Sequence, residues 1–532
     1  MTAPTLTKDQ EEGWAEEIGD LHHRLALAKE MGGTDSIARQ HSFGKFTARE
    51  RIDKLFDEKS FREFGGLVGK ATRHEDGTLD SFVPANSVVG TGQIDQRHVC
   101  VAADDFTIRG GSSEAANPDK WVYLERLALE VAAPLVRLVD TAGGSVKILD
   151  QNQTTRFPDY SKWPVLPLLE SVPVVGVAMG SCAGLGALKV IASHFSIMVR
   201  DTSQVFAAGP PVVKQALGID IDKNDLGGYR MHSRQSGMVD NEAADEEDAL
   251  RQVRKFLSYM PPNVWTLPPK TECDDPRDRE DEWLNNAIPR NRRKIYDPRK
   301  IVETLVDRGS TFEIGRYHGR SVITMLARLN GTPVGVMAGD PRELGGAMTL
   351  VSANKVERFV ELCDRFHLPV INLVDQPGNM TGPEAERAAT LSGAMRVMKA
   401  IERASVPWVT VVLRRAFGLA GGLHGAQFGL DGGRRPLNHR FGWPSARWGS
   451  IPIEGGVAAA FKRDIADAAD PDARRSELEA HYNQLSSPMR TAERFFIVDI
   501  IEPKRTRSVL CDWIDLSSER LRLLVEGRTP VN

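Results

Sequence analysis

The chain contains one stretch twice, and this repetition decides the fold. The first copy reads Ile94-Asp95-Gln96-Arg97-His98-Val99-Cys100-Val101-Ala102-Ala103-Asp104, then Gly110-Gly111, then Val139-Asp140-Thr141-Ala142-Gly143. The second reads Leu329-Asn330-Gly331-Thr332-Pro333-Val334-Gly335-Val336-Met337-Ala338-Gly339, then Gly345-Gly346, then Val374-Asp375-Gln376-Pro377-Gly378. The differences 329 − 94, 345 − 110 and 375 − 140 each give 235, and the same spacing places Cys182-Ala183-Gly184-Leu185-Gly186 under Phe417-Gly418-Leu419-Ala420-Gly421. We therefore predict a duplicated domain and not a short solenoid repeat.

The bulk composition agrees with two soluble domains. A length of 532 residues is too great for one core and suits two domains of roughly 200–250 residues. The net charge of −4 gives no reason to expect nucleic acid or an anionic membrane as the main partner. The five cysteines are scattered and odd in number, which disfavours a disulfide framework or structural zinc. With no secretory signal and no apolar run of ~18 residues, we predict a cytoplasmic protein.

Short apolar runs alternate with helical stretches along most of the chain. Val99 to Ala103, Leu135 to Val139 and Val172 to Met179 have the length of buried strands. This alternation predicts an α/β fold with a mostly parallel sheet in each half. Dense proline and charge mark a linker, so we place the domains at residues 1–265 and 296–532, with the linker at 266–295.

Three cations lie near the start of a predicted helix in the N-terminal region. We predict helix for residues 15–60, and Thr47 with Glu50 forms a capping-box pattern within it. Lys45, Arg49 and Arg51 flank this pattern. They fit either a solvated helix end or a phosphate site beside free helix N–H groups.

Two strands end in turns made of small residues, and each turn leads into a helix. The first turn is Cys182 to Gly186 and the second is Phe417 to Gly421. Small residues let another atom approach the backbone, and two helix N–H groups aimed at one point form an oxyanion hole. Close packing of a helix on a sheet explains one such turn equally well, but two at matched positions favour function.

Other sites of chemistry are not indicated by the sequence. It has no Gly-x-Ser-x-Gly elbow, no Walker-type loop and no His-Glu-x-x-His motif. No histidine pair has metal-ligand spacing, so we predict no metal site. His232 and His424 lie near the small-residue turns, where a packing role is the commoner one. Met398-Lys399 lies in a helical pattern, so we do not interpret it as a biotin attachment site.

The motifs taken together resemble a known family over nearly the whole chain. They are Gly44 to Ile52, Asp105-Phe106-Thr107 with Gly110-Gly111, Cys182-Ala183-Gly184, Leu226-Gly227-Gly228 with His232 and Ser236-Gly237, Tyr296-Asp297-Pro298-Arg299, Asp375-Gln376-Pro377-Gly378 and Trp443-Pro444-Ser445-Ala446. In this order the chain resembles the carboxyltransferase (β) subunit of the biotin-dependent acyl-CoA carboxylases, which act on propionyl-, acetyl-, methylcrotonyl- or geranyl-CoA.

This resemblance implies a fold and a reaction. Each half would be a crotonase-like ββα superhelix domain, with acyl-CoA on the N-terminal half and carboxybiotin on the C-terminal half. The active site would form between halves of different subunits, usually in a hexamer. CO₂ would pass from biotin to the α-carbon of the acyl thioester. A separate partner subunit would carry biotin and the biotin carboxylase activity.

The resemblance also implies site residues. The thioester oxyanion hole would be formed by the N–H groups of Gly184 and Leu185, and the biotin hole by those of Leu419 and Ala420. Lys45, Arg49 and Arg51 become candidates for the CoA phosphates. The remaining positions expected to contact the ligands are the glycines Gly110, Gly111, Gly345, Gly346, Gly418 and Gly422.

The chain departs from the family pattern, and the departures leave alternatives open. Leu185 and Leu419 replace one glycine of each turn, and Gly421 replaces an aromatic residue. At the next position, which tunes acyl size in relatives, Gly422 leaves space for an acyl group bulkier than acetyl. Besides a carboxylase subunit, the sequence fits a CoA-thioester decarboxylase or transcarboxylase subunit, or a catalytically weak scaffold paralogue in a mixed complex.

Overall fold

The chain divides into two compact units. A computed structural model describes residues 13–155, 157–292, 294–424 and 437–527. The units are Met1–Arg254 and Lys255–Asn532, so the boundary falls inside a helix, Glu246–Tyr259. Among the described residues, no helix combines the length and the hydropathy that crossing a membrane requires. The cytoplasmic location stays a prediction.

The first unit is an α/β unit built around one sheet. Its helices are α1 Ala15–Lys29, α2 Thr34–Ser42, α3 Ala48–Leu55, α4 Pro118–Glu130, α5 Ile148–Asn152, α6 Val165–Ser171, α7 Leu185–Ile191, α8 Pro210–Leu217, α9 Lys223–Gly227, a π-helix Arg230–Gln235 and α10 Glu246–Tyr259. Its strands are β1 Arg62–Phe64, β2 Gly69–Arg73, β3 Leu79–Pro84, β4 Ser87–Ile94, β5 Arg97–Asp104, β6 Leu135–Thr141, β7 Val174–Ala183, β8 Phe195–Val199, β9 Gln204–Phe206 and β10 Asn241–Ala243.

The second unit repeats this plan. Its helices are α11 Pro298–Leu305, α12 Leu350–Arg365, α13 Pro383–Arg387, α14 Thr390–Arg403, α15 Gly418–Leu423, α16 Ile453–Ala460, α17 Lys462–Ala466, α18 Pro471–Leu485, α19 Pro488–Glu493 and α20 Thr506–Val525. Its strands are β11 Phe312–Glu313, β12 Val322–Leu329, β13 Thr332–Gly339, β14 Val370–Gln376, β15 Trp408–Phe417, β16 His439–Gly442, β17 Arg447–Gly449 and β18 Asp499–Ile500.

The two sheets have the same topology. The first has the order β1-β4-β5-β6-β7-β8-β10, with β9 beside β7; the second has β11-β12-β13-β14-β15-β16-β18, with β17 beside β15. In both sheets the first two pairings are antiparallel and the rest are parallel. The predicted duplicated α/β fold is confirmed.

Burial explains why the central strands have nearly unbroken apolar sequences. Every residue of β6 and of β14 is buried, because helices cover both faces of a parallel sheet. In the first unit, Trp121 and Leu124 of α4 pack with buried residues of the sheet such as Leu135. In the second unit, Trp443 and Trp513 are fully buried in the corresponding core.

One detail differs from the sequence prediction, while the domain bounds and the linker at 266–295 stay predictions. Residues 15–60 form three helices and not one, with breaks at Gly33 and Gly44, whose φ angles are 84° and 70°. The segment predicted as a linker packs onto the second unit: Thr271 N donates to Gly331 O at 3.1 Å, and Arg507 Nε donates to Pro276 O at 2.9 Å. Gly331 and Arg507 lie far along the chain from this segment, so these contacts cannot be predicted from the local sequence.

Candidate active site

In each unit the long central strand ends at a glycine with a left-handed backbone. Gly184 follows β7 with φ 59°, and Gly418 follows β15 with φ 63°. Each glycine leads into a short helix, α7 or α15. A positive φ at this point favours glycine, because a Cβ would be strained there.

The strand pairing corrects one alignment made from the sequence. Val136 pairs with Val175 in the first sheet, and Ile371 pairs with Val409 in the second. Ile371 lies 235 residues after Val136, but Val409 lies only 234 residues after Val175. At the turns the structural spacing is therefore 234 and not 235. Gly184 corresponds to Gly418, and Leu185 corresponds to Leu419.

Hydrogen bonding identifies which turn amides remain available. The N–H of Gly184 donates to Phe206 O at 3.1 Å, so this predicted donor already has an acceptor in β9. The first bond within α7 runs from Leu188 N to Gly184 O at 3.1 Å. The N–H groups of Leu185 and Gly186, in the first turn of the helix, therefore lack a helical acceptor. Leu419 and Ala420 occupy the matching positions of α15.

The paired glycines of both units lie beside these turns. Gly110 and Gly345 have φ angles of 63° and 65°. A Cβ on Gly111 would lie 2.4 Å from Asp140 O, and one on Gly346 would lie 3.0 Å from Asp375 O. The structure therefore places the four predicted glycines against the carboxyl ends of β6 and β14, where ligands bind in parallel sheets.

In each unit a further turn, which follows β6 or β14, lies between the glycine pair and the end of the central strand. In the first unit, Ser113 N donates to Gly143 O at 3.0 Å, and a Cβ on Gly143 would lie 3.0 Å from Ala183 O. In the second unit, Met348 N donates to Gly378 O at 3.0 Å. Three neighbouring strand ends thus form one surface in each unit.

The cations predicted to bind the CoA phosphates have carboxylate partners. Lys45 Nζ lies 2.7 Å from Asp140 Oδ2, and its side chain is only 6% exposed. Arg51 is wholly buried and contacts Asp140 at 2.9 Å and Glu246 at 2.7 Å. In this structure a phosphate has no access to Arg51.

Arg49 belongs to an ion pair that is itself duplicated. Its guanidinium contacts Glu63 at 2.8 Å, and Arg299 in the second unit pairs with Glu313 at the corresponding positions of α11 and β11. The same pair beside the same strand in both units favours a structural role. We therefore do not include Arg49 or Arg51 among the proposed phosphate ligands.

The second unit surrounds its equivalent aspartate differently. Asp375 is fully buried and accepts from Arg414 Nη2 at 2.8 Å, Arg415 Nε at 2.6 Å and the hydroxyl of Tyr296 at 3.0 Å. Burial raises the pKa of Tyr296, and the Asp375 charge adds to this, so the hydroxyl stays protonated and donates. Arg415 Nη2 also donates to Gly345 O at 2.7 Å. This bond connects the Gly345-Gly346 pair to β15.

Sequence reasoning missed Arg414 and Arg415. The available signal was two adjacent arginines at the end of a buried apolar strand, Trp408–Phe417. Charges in such a strand require partners, because an unpaired buried charge is costly. The pattern indicated a partner but not its identity.

A cleft opens beside the turn of the second unit. Its volume is about 610 Å³, and its lining includes Ala416, Gly418, Gly422, His424, Trp448 and Phe496. We call it the C-terminal cleft. A Cβ on Gly422 would meet no atom of the described residues within 4 Å, whereas one on Gly421 would lie 2.4 Å from the carbonyl carbon of Ala416. Gly421 therefore permits close packing, and Gly422 leaves space.

The two leucines that depart from the family pattern do not fill this cleft. Leu419 is 48% exposed and is not among the residues that line the C-terminal cleft. Leu185 packs against the apolar core under α4. The described residues thus leave space beside the turn of the second unit.

Two tandem units of the same α/β topology, each with a small-residue turn at the end of its central strand, form the crotonase-like fold of a carboxyltransferase. The carboxyl transferase domain family matches residues 39–527, and the chain belongs to this family. The predicted family and enzyme class are therefore confirmed.

Named relatives fall into three kinds of enzyme. The methylmalonyl-CoA decarboxylase subunit alpha of Veillonella parvula is 33% identical, covering 97% of both chains. The propionyl-CoA carboxylase carboxyltransferase subunit of Haloferax mediterranei is also 33% identical, covering 94% of this chain and 96% of that one. The crystal structure of transcarboxylase 12S, a hexamer with hydrolysed methylmalonyl-CoA bound, superposes with a TM-score of 0.84 at 29% identity over 94% and 95% of the chains.

His232 supports the strand that holds the first turn. Its Nε2 lies 2.7 Å from Val205 O, next to Phe206, the acceptor for Gly184. Burial lowers the pKa of His232, so the ring is neutral at neutral pH. We expect His232→Leu to lower kcat for carboxyl transfer more than it raises KM, and His232→Gln to restore part of the loss.

A matched control separates positioning from stability. His367 makes the same kind of bond, with Nε2 2.6 Å from Val264 O, in the second unit. His367→Leu and His232→Leu should each cost about 1–2 kcal/mol of unfolding free energy, since each strands a carbonyl. Only His232→Leu should change kcat. Equal kcat values for the two variants would contradict the positioning role.

Proposed function

We propose that this chain is a carboxyltransferase subunit that moves CO₂ from N1′-carboxybiotin, carried by a partner subunit, to the α-carbon of an acyl-CoA. The observation that supports this most is the pair of equivalent turns, Gly184-Leu185 and Gly418-Leu419, at the same strand end of each unit. A reaction that develops negative charge on two oxygens needs two sets of donors. A duplicated domain supplies both.

In this proposal the backbone amides stabilise the developing charge. The N–H groups of Leu185 and Gly186 would face the thioester oxygen, and those of Leu419 and Ala420 would face the ureido oxygen of biotin. Each donor of this kind contributes about 3–4 kcal/mol to transition-state stabilisation. Carboxybiotin would supply the CO₂ and, after losing it, a ureido anion able to accept the α-proton, so no side-chain base is required.

The C-terminal cleft is large enough for the ring of biotin. Its volume of about 610 Å³ lies within the range of ordinary ligand sites. The wall beside the turn is made of Ala416, Gly418 and Gly422, which allow a ring to approach the backbone. The residues present therefore suit a biotin ring or an acyl chain.

A cleft in the first unit is the better candidate for the CoA nucleotide. It has a volume of about 580 Å³, and Arg39, Phe43, Arg109 and Gly110 are among its lining residues. Both arginines are exposed, unlike Arg51. We propose that this cleft takes the CoA phosphates. Lys45, whose Nζ lies 4.5 Å from the ring centre of Phe106 in the lining, would add positive charge beside it.

The assembly is also part of the proposal. Transcarboxylase 12S is a hexamer, and the chain from Haloferax is a subunit of a carboxylase. We propose a similar homo- or hetero-oligomer in which the acyl-CoA surface of one subunit meets the biotin surface of another. The biotin-carrying partner would also contain the biotin carboxylase.

A second candidate function is decarboxylation or transcarboxylation on the same site. The relative from Veillonella is a decarboxylase subunit, and the superposed structure is a transcarboxylase. Both need the same two sets of amide donors. A scaffold role is the third candidate, and the experiment below tests it together with the other two.

One experiment separates these functions. The chain is purified with its associated proteins, probed for a biotinylated partner, and assayed with ATP, bicarbonate and acyl-CoAs. Carboxylation that depends on ATP supports the proposal. Decarboxylation of a carboxyacyl-CoA without ATP supports the second function, and a biotinylated partner with neither activity supports a scaffold.

Gly422 should set the acyl size. We expect the wild-type enzyme to use propionyl-CoA and longer acyl-CoAs better than acetyl-CoA, because position 422 adds no side chain to the cleft. Gly422→Leu should lower kcat/KM for hexanoyl-CoA by about tenfold or more and spare acetyl-CoA, as one or a few methylenes carry about 1–3 kcal/mol each. Gly19→Leu on exposed α1 is the control. Strict preference of the wild type for acetyl-CoA would contradict this prediction.

A further inference from the structure

A buried histidine lines the C-terminal cleft, and one of its ring nitrogens makes no hydrogen bond to the part of the chain that the structure describes. His424 is 7% exposed, and its Nε2 has no hydrogen-bond partner among the residues that the structure describes. A buried polar atom of this kind costs free energy unless a ligand or water satisfies it. The proposed oxyanion chemistry does not use this atom.

The surroundings of His424 determine what its free nitrogen can do. Asn372 Nδ2 lies 2.9 Å from His424 Nδ1, and an amide nitrogen only donates, so Nδ1 accepts. Burial lowers the pKa of His424 to about 4, so the ring is neutral at neutral pH. A neutral ring that accepts at Nδ1 carries its hydrogen on Nε2. The free atom is therefore a donor.

His424 is also held in place from its backbone. Thr410 Oγ1 donates to His424 O at 2.9 Å, and Thr410 is itself buried in β15. With its carbonyl and Nδ1 both bonded, the ring has little freedom to turn towards another acceptor. Its donor is preorganised, which favours specific binding.

The rest of the lining suits a ligand that combines apolar surface with an oxygen. Trp448 and Phe496 provide apolar walls, and Arg440 brings a positive charge to the same cleft. Thr491 accepts from Trp448 Nε1 at 3.2 Å, which leaves its hydroxyl hydrogen free to donate. A donor-rich cleft selects acceptors and rejects other donors.

We propose that Nε2–H of His424 donates a hydrogen bond to an acceptor oxygen, a carbonyl or a carboxylate, on the small organic ligand that occupies the C-terminal cleft. This inference rests on the proposed function, which supplies two sources of such an oxygen. One is the distal oxygen of an oxygenated acyl group on CoA. The other is the ureido carbonyl of biotin.

Direct binding to the purified full-length chain tests the inference without requiring turnover. Isothermal titration would compare glutaryl-CoA with pentanoyl-CoA, which have the same number of acyl carbons, and would measure free biotin separately. The variants are His424→Phe, which removes the donor, and His424→Gln, which keeps one. His481→Phe changes an exposed histidine of α18 as the control.

The expected results distinguish the two sources. If the acyl group supplies the oxygen, the wild type prefers glutaryl-CoA by about tenfold, His424→Phe loses this preference and His424→Gln keeps part of it. If biotin supplies it, His424→Phe weakens biotin by a similar factor and leaves the acyl-CoA pair unchanged. His481→Phe behaves as the wild type in both cases.

Other outcomes overturn the inference. Unchanged affinities in His424→Phe would do so, as would a wild type that binds none of the three probes. Should His424→Phe fail to fold because Asn372 is stranded, the double variant Asn372→Leu/His424→Phe removes both partners and replaces it. If the enzyme transfers carboxyl groups but neither ligand binding nor transfer changes in His424→Phe, the inference about His424 fails and the proposed function stands. Binding that depends on His424 without any transfer removes only the proposed function.

Discussion

Gly421→Ala is expected to lower kcat for carboxyl transfer by about 10²–10³-fold, the effect of losing one oxyanion donor. The added Cβ would lie 2.4 Å from the carbonyl carbon of Ala416 and 2.9 Å from its oxygen. Backbone atoms do not yield as a flexible side chain does, so α15 must move away from β15. That shift displaces the N–H groups of Leu419 and Ala420. Steady-state kinetics with the reconstituted partner measure the loss.

The control for this variant is another helical glycine. Gly455 lies in α16, and a Cβ there would meet none of the described atoms within 4 Å. Gly455→Ala should leave kcat unchanged and raise stability by about 0.5–1 kcal/mol, because alanine favours the helix. Gly421→Ala should instead cost about 1–3 kcal/mol through overpacking. Wild-type kcat in Gly421→Ala would contradict a role for these amides.

Asp375→Ala is expected to lower the free energy of unfolding by about 3–5 kcal/mol. The substitution leaves the buried Arg414 guanidinium without its carboxylate and removes the acceptor for Tyr296. It also frees Arg415, whose Nη2 bond to Gly345 O fixes the glycine turn. We therefore expect carboxyl transfer to fall as well. Chemical denaturation followed by circular dichroism measures the stability change.

A surface ion pair provides the comparison. Asp464 contacts Arg474 at 2.9 Å. Both side chains are well exposed, at 44% for Asp464 and 34% for Arg474. Asp464→Ala should destabilise the protein far less than Asp375→Ala, since water screens exposed charges. If Asp375→Ala and Asp464→Ala cost the same, the burial of the Asp375 cluster does not have the energetic role assigned to it.

The duplication was predictable because the central strands of both units keep equal lengths and connections. The spacing of 235 holds from β4 to β6 and from β12 to β14, including the glycine pairs between them. Buried parallel strands leave an apolar pattern that does not depend on distant contacts. The pattern therefore predicted the fold, and the family resemblance predicted the two turns.

The register at the turns was harder to obtain. One residue is lost between the units in the connection from β6 to β7, which corresponds to that from β14 to β15. Loops tolerate such changes, so a constant spacing fails there. The identical dipeptides Gly184-Leu185 and Gly418-Leu419 indicate the correct alignment of the two turns.

The partners of the charged residues were not predictable. Arg51 contacts Asp140 and Glu246, which lie 89 and 195 residues away along the chain. A basic helix start looks the same whether its cations face a phosphate or a buried carboxylate. Only the fold distinguishes the two, since it brings Asp140 under α3.

The different cations around the two equivalent aspartates also bear on the history of the gene. Arg414 stands where the first unit has Gly180, and a Cβ on Gly180 would lie 2.0 Å from Asp140 Oδ1 and 2.5 Å from Lys45 Nζ. An arginine there would collide with the cluster, and a glycine at 414 would strip Asp375 of a partner. Recombination that exchanged these two positions between the repeats would thus destabilise both clusters. Selection against such crossovers would keep the halves from being homogenised and leave each free to diverge.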